Sequence, residues 1–367
     1  MNLNKIELHN FRNYEQLQLE FDPGVNLIVG DNAQGKTNLL EAISYLGSGK
    51  SFRAQKTGEM IRFHADFADI EGNIHSQERD QTLRWVLFSG SRPRQIWRNG
   101  AKKKTAGEIH GVMSTVLFCP EDLMVLKAGA AQRRRLGDTA ISQLRPNYDA
   151  ALTEYNRILD QKSRILKDHF EHPALLDILP EYNARLCQVG ALLISYRARF
   201  YDSLEKAAAG YHGQFSGGSE EFRLEYKTVS TVTDPFASVQ VLTGQLQDHL
   251  QSHYRAELES SQCLTGPHKD DFTVSLSGID LKAYGSQGQT RTAAISLKLA
   301  QRELMGREFG EEPVLLLDDV LSELDPGRQD FVLNQISSGQ VFITCCEPGR
   351  FTKLGKTIEI HKGQVKV

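Results

Sequence analysis

The octapeptide GDNAQGKT, Gly30 to Thr37, completes the phosphate-binding pattern G-x-x-x-x-G-K-[ST], and a second acidic run, VLLLDDVLSELD, begins roughly 280 residues later. The first run has the setting that the pattern requires. Val25 to Val29 reads as a short buried strand ended by Gly30, and TNLLEAISYL after Lys36 carries apolar residues at helical spacing. In a compact nucleotide-binding fold the strand bearing the magnesium-binding aspartate lies closer in sequence. A large insertion therefore separates two halves of one site.

The 367 residues suffice for two domains, each with a core of its own. Forty-three Lys and Arg against 46 Asp and Glu, a net charge of -3, exclude an overall basic surface, so any polyanion site has to be a local patch. No stretch approaches the ~20 uncharged apolar residues of a membrane span, and MNLNKIELHNF lacks the basic-then-apolar order of a signal peptide. The expectation is a soluble, cytoplasmic protein. Cys119, Cys187, Cys263, Cys345 and Cys346 form no C-x-x-C and no paired His spacing, which predicts reduced thiols and neither a disulfide framework nor a zinc site.

LNKIELHNF and EQLQLEF alternate around Asn10 to Tyr14, the pattern of a strand pair. Alternation returns between about residues 60 and 118 and predicts an antiparallel sheet there, with Asn99-Gly100 as a type I′ hairpin turn. From about 130 to 212 apolar spacings of three and four predict a helical hairpin interrupted at His172-Pro173. A Gly/Ser loop at Ser216 to Ser219, a strand near Phe222 to Tyr226, a helix opened by Asp234-Pro235 and a strand at Phe272 to Leu276 follow.

A triphosphate is strongly negative, and the loop answers it with backbone N–H groups of Gly30, Asp31, Asn32, Ala33, Gln34 and Gly35, the positive end of a helix, and Lys36. Thr37 supplies a hydroxyl for magnesium. Val314 to Leu317 reads as a buried strand that ends in Asp318, the expected magnesium or water holder, and Asp319, placed where a general base orients attacking water. Asp325 can cap the next helix, with Pro326 at its first position. In YGSQGQTRT, Ser286, Gln287, Gly288 and Gln289 open a helix and form another anion site. The first loop already holds its phosphates, so this one serves a nucleotide bound to another copy of the chain.

These motifs, in this order, resemble the ATP-binding cassette ATPases. FRNY, NAQGKTNLLEAI, FCPEDL, TGPHKDD, YGSQGQTRT and LLLDDVLSELD are similar, from end to end of the chain, to the RecF family of bacterial recombination mediators. The resemblance implies an α/β P-loop ATPase head, related to SMC and Rad50 heads, with an antiparallel β subdomain. Residues 1–128 and 262–367 would form it, and 129–261 an inserted, mainly helical domain. It also implies ATP and magnesium as cofactors, ATP-dependent homodimerization, and binding to duplex DNA at single-strand gaps. Slow DNA-stimulated hydrolysis, and work with RecO and RecR to load RecA in repair, fork maintenance and the SOS response, are implied as well.

By that resemblance Lys36 and Thr37 take the P-loop roles, Asp318 the magnesium role, Asp319 the place of a catalytic Glu, Ser286 the signature contact in trans, and Asp325 a loop at the dimer interface. Three positions depart from the wider pattern. Asp319 is shorter than Glu, Cys345 and Cys346 stand near where many cassettes carry a switch His, and RRRLGD replaces RRRFLD, which puts the helix at Gly137 in question. Arg92, Arg94, Arg98, Lys102, Lys103 and Lys104, interleaved with Trp97, and the run Arg133, Arg134, Arg135 are the DNA-contact candidates. The competing readings are a P-loop kinase acting on a small molecule, which leaves the second anion helix without a task, and an energy-coupling transporter subunit, which the insertion and FRNY disfavour.

Overall fold

The computed structural model describes residues 1–77, 79–336, 338–347 and 349–366. They group into two compact units, Met1–Leu123 with Lys298–Val367, and Met124–Leu297. The boundaries differ from those read in the sequence, because residues 262–297 group with the helical segment. The cause is strand pairing: β10 (Asp271–Leu276) runs antiparallel to β9 (Phe222–Lys227), with Phe272 opposite Tyr226 and Val274 opposite Leu224.

In the first unit a sheet of order β15-β14-β3-β13-β12-β8 carries the site. Five strands are parallel: β3 (Val25–Val29), β8 (Thr115–Phe118), β12 (Val314–Asp318), β13 (Val341–Cys345) and β14 (Gly355–His361). β15 (Gln364–Lys366) is the antiparallel edge. All five residues of β12 and of β13 are buried, which explains their unbroken apolar character. Register sets Asp318 opposite Thr344, and Cys345 opposite Val29. The carboxyl ends of β3, β13 and β12 therefore lie side by side, and motifs far apart in sequence share one sheet edge. Helix α8 (Pro326–Gln335) returns the chain between β12 and β13.

The second sheet of this unit has the order β2-β1-β4-β5-β6-β7, from β1 (Asn2–Phe11), β2 (Tyr14–Glu20), β4 (Phe67–Ser76), β5 (Arg79–Phe88), β6 (Gln95–Arg98) and β7 (Ala101–Lys103). The predicted antiparallel region is thus present, with one correction. Thr115–Phe118 pairs in parallel with β12 and belongs to the other sheet. A register shift between Leu3 and Lys5 moves the buried positions of β1 from Leu3 to Ile6 and Leu8. Asn99 and Gly100 both have positive φ, 52° and 74°, as a type I′ turn requires. Helix α1 (Lys36–Ser48) shares a core with both sheets through Leu39, Leu40, Ile43 and Leu46. Its C-terminal end is tied by the Trp85 indole, which donates to the Leu46 carbonyl at 3.0 Å.

The second unit contains α2 (Ala130–Leu144), α3 (Pro146–Asp168), α4 (Leu179–Ser216) and α5 (Val239–Ser260), with β9, β10 and β11 (Ile279–Asp280) as a small sheet. A short α6 (Leu281–Tyr284) leads to α7 (Gln287–Phe309), whose residues from Lys298 onward group with the first unit. Helix α5 begins later than the sequence suggests. Asp234 instead accepts from the Phe236 amide in a local turn, and Ser238 caps the helix. Gly137 leaves α2 regular. A Cβ there would lie 2.3 Å from the Tyr201 hydroxyl, so glycine lets this ring reach the helix backbone.

The TGPHKDD run is a structural hub of this unit. Arg197, buried on α4, donates to Asp270 at 2.7 Å, to Asp138 at 3.0 Å and to the Pro267 carbonyl at 2.6 Å. His268 stands 2.7 Å from the Tyr155 hydroxyl and 3.0 Å from the Cys263 carbonyl. Burial lowers the His268 pKa to about 4, so the ring is neutral, accepting from Tyr155 and donating to Cys263. Lys162 and Glu257 form a second buried pair at 2.6 Å.

Candidate active site

The loop after β3 takes backbone shapes that only glycine provides at two points. Gly30 has φ 156°, and a Cβ on it would fall 2.3 Å from the Ile360 carbonyl. Gly35 has φ 124° and would meet the Asn13 amide at 2.7 Å. The FRNY segment gains a task here. Asn13 donates to the Gln34 carbonyl and Tyr14 to the Gly35 carbonyl, both at 2.9 Å. Arg12 grips the buried Glu41 of α1 with two bonds of 2.8 Å. On the other side the amide of Lys362 donates to the Gln34 side chain at 2.7 Å, and that of Gly363 to the Gln34 carbonyl at 3.0 Å.

Helix α1 begins without a side-chain cap and without acidic residues in its first turn, so its positive end is kept for an anion. Lys36 is nearly buried, and its ammonium donates to the carbonyls of Gly30 at 2.6 Å and Asp31 at 3.2 Å and to the Cys346 sulfur at 3.4 Å. A phosphate must replace some of these bonds. The Cys346 thiol in turn donates to the Asn32 side chain at 3.1 Å. Of the two cysteines near the switch-His place, Cys346 is thus part of the cradle, whereas Cys345 is buried and burial pushes its thiol up to about 11.

Asp318 ends β12 with its carboxylate 3.0 Å from the Thr37 hydroxyl and 2.9 Å from that of Thr344. Burial pushes this carboxyl above the ordinary aspartate range, against the hydrogen bonds from Thr344 and Thr37. Such a group gains from a cation. Hydroxyl and carboxylate oxygens suit magnesium, which is held through few protein ligands together with phosphates and water. Asp319 follows in the left-handed conformation, φ 51°, fixed by its amide donating to Thr344 at 2.8 Å. Asp325 caps α8 through the Arg328 amide at 3.0 Å and pairs with the Arg328 guanidinium.

The sequence-predicted Lys36, Thr37, Asp318 and Asp319 are therefore brought to one sheet edge. Thr344, the fourth residue of β13, joins them, and a threonine within an apolar strand carries no motif in the sequence. In the second unit, Ser286 and Gln289 form a capping box: the Gln289 amide donates to Ser286 Oγ at 3.2 Å, and Gln289 Oε1 accepts from the Ser286 amide at 3.1 Å. Gly288 lies within that turn.

The basic candidates divide. Arg94 is committed to Tyr45 Oη at 2.8 Å and to the Gly49 carbonyl, with its guanidinium 4.8 Å from the Trp85 ring. Arg98 holds Gln81 at 2.9 and 2.6 Å and the Glu108 carbonyl at 3.2 Å. Arg133 is 2% exposed and paired with Asp271 at 2.6 Å, and Arg134 donates to the Asp270 carbonyl at 2.6 Å. These four have structural work, and buried Arg133 has no face left for a phosphate. Arg135 is exposed on α2, Arg92 covers the Phe88 ring at 3.7 Å, and Lys102 lies 5.8 Å from the Trp97 ring. Lys103 and Lys104 complete that hairpin. Among the described residues no helix is long and apolar enough to cross a membrane.

Residues 2–367 match the model of the RecF/RecN/SMC N-terminal domain. The chain is 39% identical over 371 residues to the DNA replication and repair protein RecF of Agathobacter rectalis, covering 100% of this chain and 99% of that one. It is 38% identical over 349 residues to the protein of the same description in Bacillus subtilis, covering 94% and 93%. A solved structure of the recombination mediator protein RecF-ATPrS in the RecFOR pathway superposes with a TM-score of 0.92 at 34% identity, covering 100% of this chain and 97% of that one. The Smc head of Pyrococcus furiosus, at TM-score 0.55 and 17% identity, shares the fold.

Proposed function

The chain belongs to the RecF family of DNA replication and repair proteins, which are ATPases of the SMC-head type, and on that premise we propose that it is an ATP-switched clamp on DNA. The observation that carries this reading is the 3.0 Å pairing of Thr37 with Asp318 across 281 residues, which assembles one half of a nucleotide site at the ends of β3 and β12. ATP would lie with its phosphates on the amides of Gly30 to Gly35 and on Lys36. Thr37 and Asp318 would hold magnesium, which when bound supplies positive charge to the phosphates. Asp319 orients the attacking water and accepts its proton. Gly288, Gln289 and Ser286 form the other half, and Ser286 donates to the γ-phosphate of a second copy.

Two copies thus close over two ATP molecules and hold duplex DNA near single-strand gaps, and slow, DNA-stimulated hydrolysis releases it. Asp325 sits in the loop that crosses the dimer. In the cytoplasm the clamp marks gaps at which RecO and RecR load RecA, in repair, fork maintenance and the SOS response. Arg92, Lys102, Lys103, Lys104 and Arg135 are the DNA contacts that this reading retains.

The test measures dimerization and ATP turnover, with and without gapped duplex, in the parent and in Lys36→Arg, Ser286→Arg and Asp319→Asn. Ser286→Arg should bind ATP as a monomer and neither dimerize nor hydrolyse. Parental hydrolysis by Ser286→Arg overturns the shared site, and indifference of the parent to gapped DNA overturns the clamp.

A further inference from the structure

We propose that Glu220 is a positioning residue for the Ser286 turn: it fixes the Gln289 side-chain amide in the one orientation that caps the Ser286 N–H, and so holds the turn that presents the Ser286 hydroxyl to a phosphate on a second copy. The inference rests on the shared-site reading above. It begins from the bonds around Ser286. The Ser286 amide is taken by Gln289 Oε1 at 3.1 Å, and the Ser286 carbonyl by the amide and hydroxyl of Thr290 at 3.0 and 2.9 Å. Ser286 Oγ accepts from the Gln289 amide at 3.2 Å. A hydroxyl has one proton and two lone pairs. With its oxygen accepting, the proton remains to be given, and none of the described residues takes it.

The cap on the Ser286 N–H, which holds the turn in place, depends on which way the Gln289 side chain points. Its oxygen and nitrogen are near-isosteric, so within the capping box alone a flipped amide costs little more than the bond it loses. A flip would set NH₂ against the Ser286 N–H. Glu220 removes that freedom, because the Gln289 Nε2 donates to Glu220 Oε1 at 2.8 Å. Reversed, the amide oxygen would face a carboxylate while its NH₂ faced another donor. The bond to the carboxylate is charge-assisted and decides the orientation.

Glu220 is itself anchored. Its other oxygen lies 2.9 Å from Nε2 of His212, whose side chain is 0% exposed near the end of α4. His212 Nδ1 has no hydrogen-bond partner, so a neutral ring carries its proton on Nε2 and donates to Glu220. The chain His212, Glu220, Gln289, Ser286 thus runs from the core of the helical unit to the hydroxyl that meets phosphate. All four belong to residues 124–297, so the turn is shaped inside one unit before any dimer forms.

The experiment measures steady-state ATP turnover with saturating gapped DNA, and ATP affinity of the monomer, for Glu220→Ala, Glu220→Gln, Gln289→Ala and the double variant Glu220→Ala with Gln289→Ala. Glu220→Ala should lower kcat about tenfold or more, with monomer affinity for ATP within about twofold of the parent. Glu220→Gln keeps an acceptor for Gln289 and should recover kcat to within about threefold. In the Gln289→Ala background, loss of Glu220 should add less than about twofold. Should Glu220→Ala fail to fold, Glu220→Asp carries the same test, since it keeps the charge but falls one methylene short of Gln289. Parental kcat in a folded Glu220→Ala or Glu220→Asp, or full additivity in the double variant, overturns the proposal. If Ser286→Arg is inactive in the same assay, that failure concerns Glu220 alone; if Ser286→Arg is active, the shared-site reading has failed first.

Discussion

Replacing Thr344 by valine keeps the volume of a fully buried strand residue and removes one oxygen. That oxygen donates to Asp318 at 2.9 Å and accepts from the Asp319 amide at 2.8 Å. A hydrogen bond to a charged group contributes about 1.5–3 kcal/mol, and the half-buried Asp319 amide loses about 1 kcal/mol more. The new methyl group returns about 0.8 kcal/mol. The net cost is about 2–3 kcal/mol, which for a unit of this size lowers the melting temperature by roughly 5–10 °C. Loss of the bond also drives the Asp318 carboxyl further up, because Thr344 is the first of the groups that hold it down. Asp319 loses the bond that keeps it at φ 51°, so kcat for ATP should fall about tenfold while ATP affinity, carried by Lys36 and the loop, changes less than about threefold. Calorimetry and turnover are compared for the parent, Thr344→Val and Thr344→Ser. Serine keeps the oxygen and should stay within about 1 kcal/mol of the parent. A valine variant that melts with the parent, or a serine variant as damaged as valine, would refute the account of the site.

The other two predictions concern the helical unit. His268 is held neutral with its pKa lowered from 6.5 to about 4, so the unfolded chain binds more protons between those values and stability is lost as pH falls through that window, by about 3 kcal/mol at its foot. His268→Gln keeps an acceptor for Tyr155 and a donor for Cys263 without titrating, and urea unfolding at pH 7 and pH 4.5 should show a smaller acid loss in the variant than in the parent; equal losses count against it. Gly137→Ala, although alanine favours helix by about 1 kcal/mol, should destabilise the unit by roughly 1–3 kcal/mol because its Cβ meets the Tyr201 hydroxyl at 2.3 Å. Tyr201→Phe in that background should restore part of the loss, and a stabilised Gly137→Ala sinks the packing argument.

What could be read in advance and what could not divide along the range of the interactions involved. The phosphate loop, the Asn99-Gly100 turn and the Asp325 cap were legible because each is settled within a few residues by φ/ψ preference and by hydrogen bonds between near neighbours. The run Arg133, Arg134, Arg135 looked like a cationic patch. Arg133 and Arg134 are instead held by Asp271 and the Asp270 carbonyl, more than 130 residues away, and no local pattern reports that. Thr115–Phe118 reads as a strand in any sheet; pairing with Val314–Leu317 decides which. Asp234-Pro235 looked like a helix start, yet the Asp234 side chain closes a turn on Phe236 and leaves the cap to Ser238.

The split between Gly30 to Thr37 and Asp318 is where the two kinds of information meet. The residues alone determined that a phosphate loop, an acidic strand end and a second anion turn exist, since those are properties of short segments. Only the sheet register, Asp318 beside Thr344 and Cys345 beside Val29, made a single site of the first two and enlisted Thr344 and Cys346, because strand order depends on burial shared by segments hundreds of residues apart.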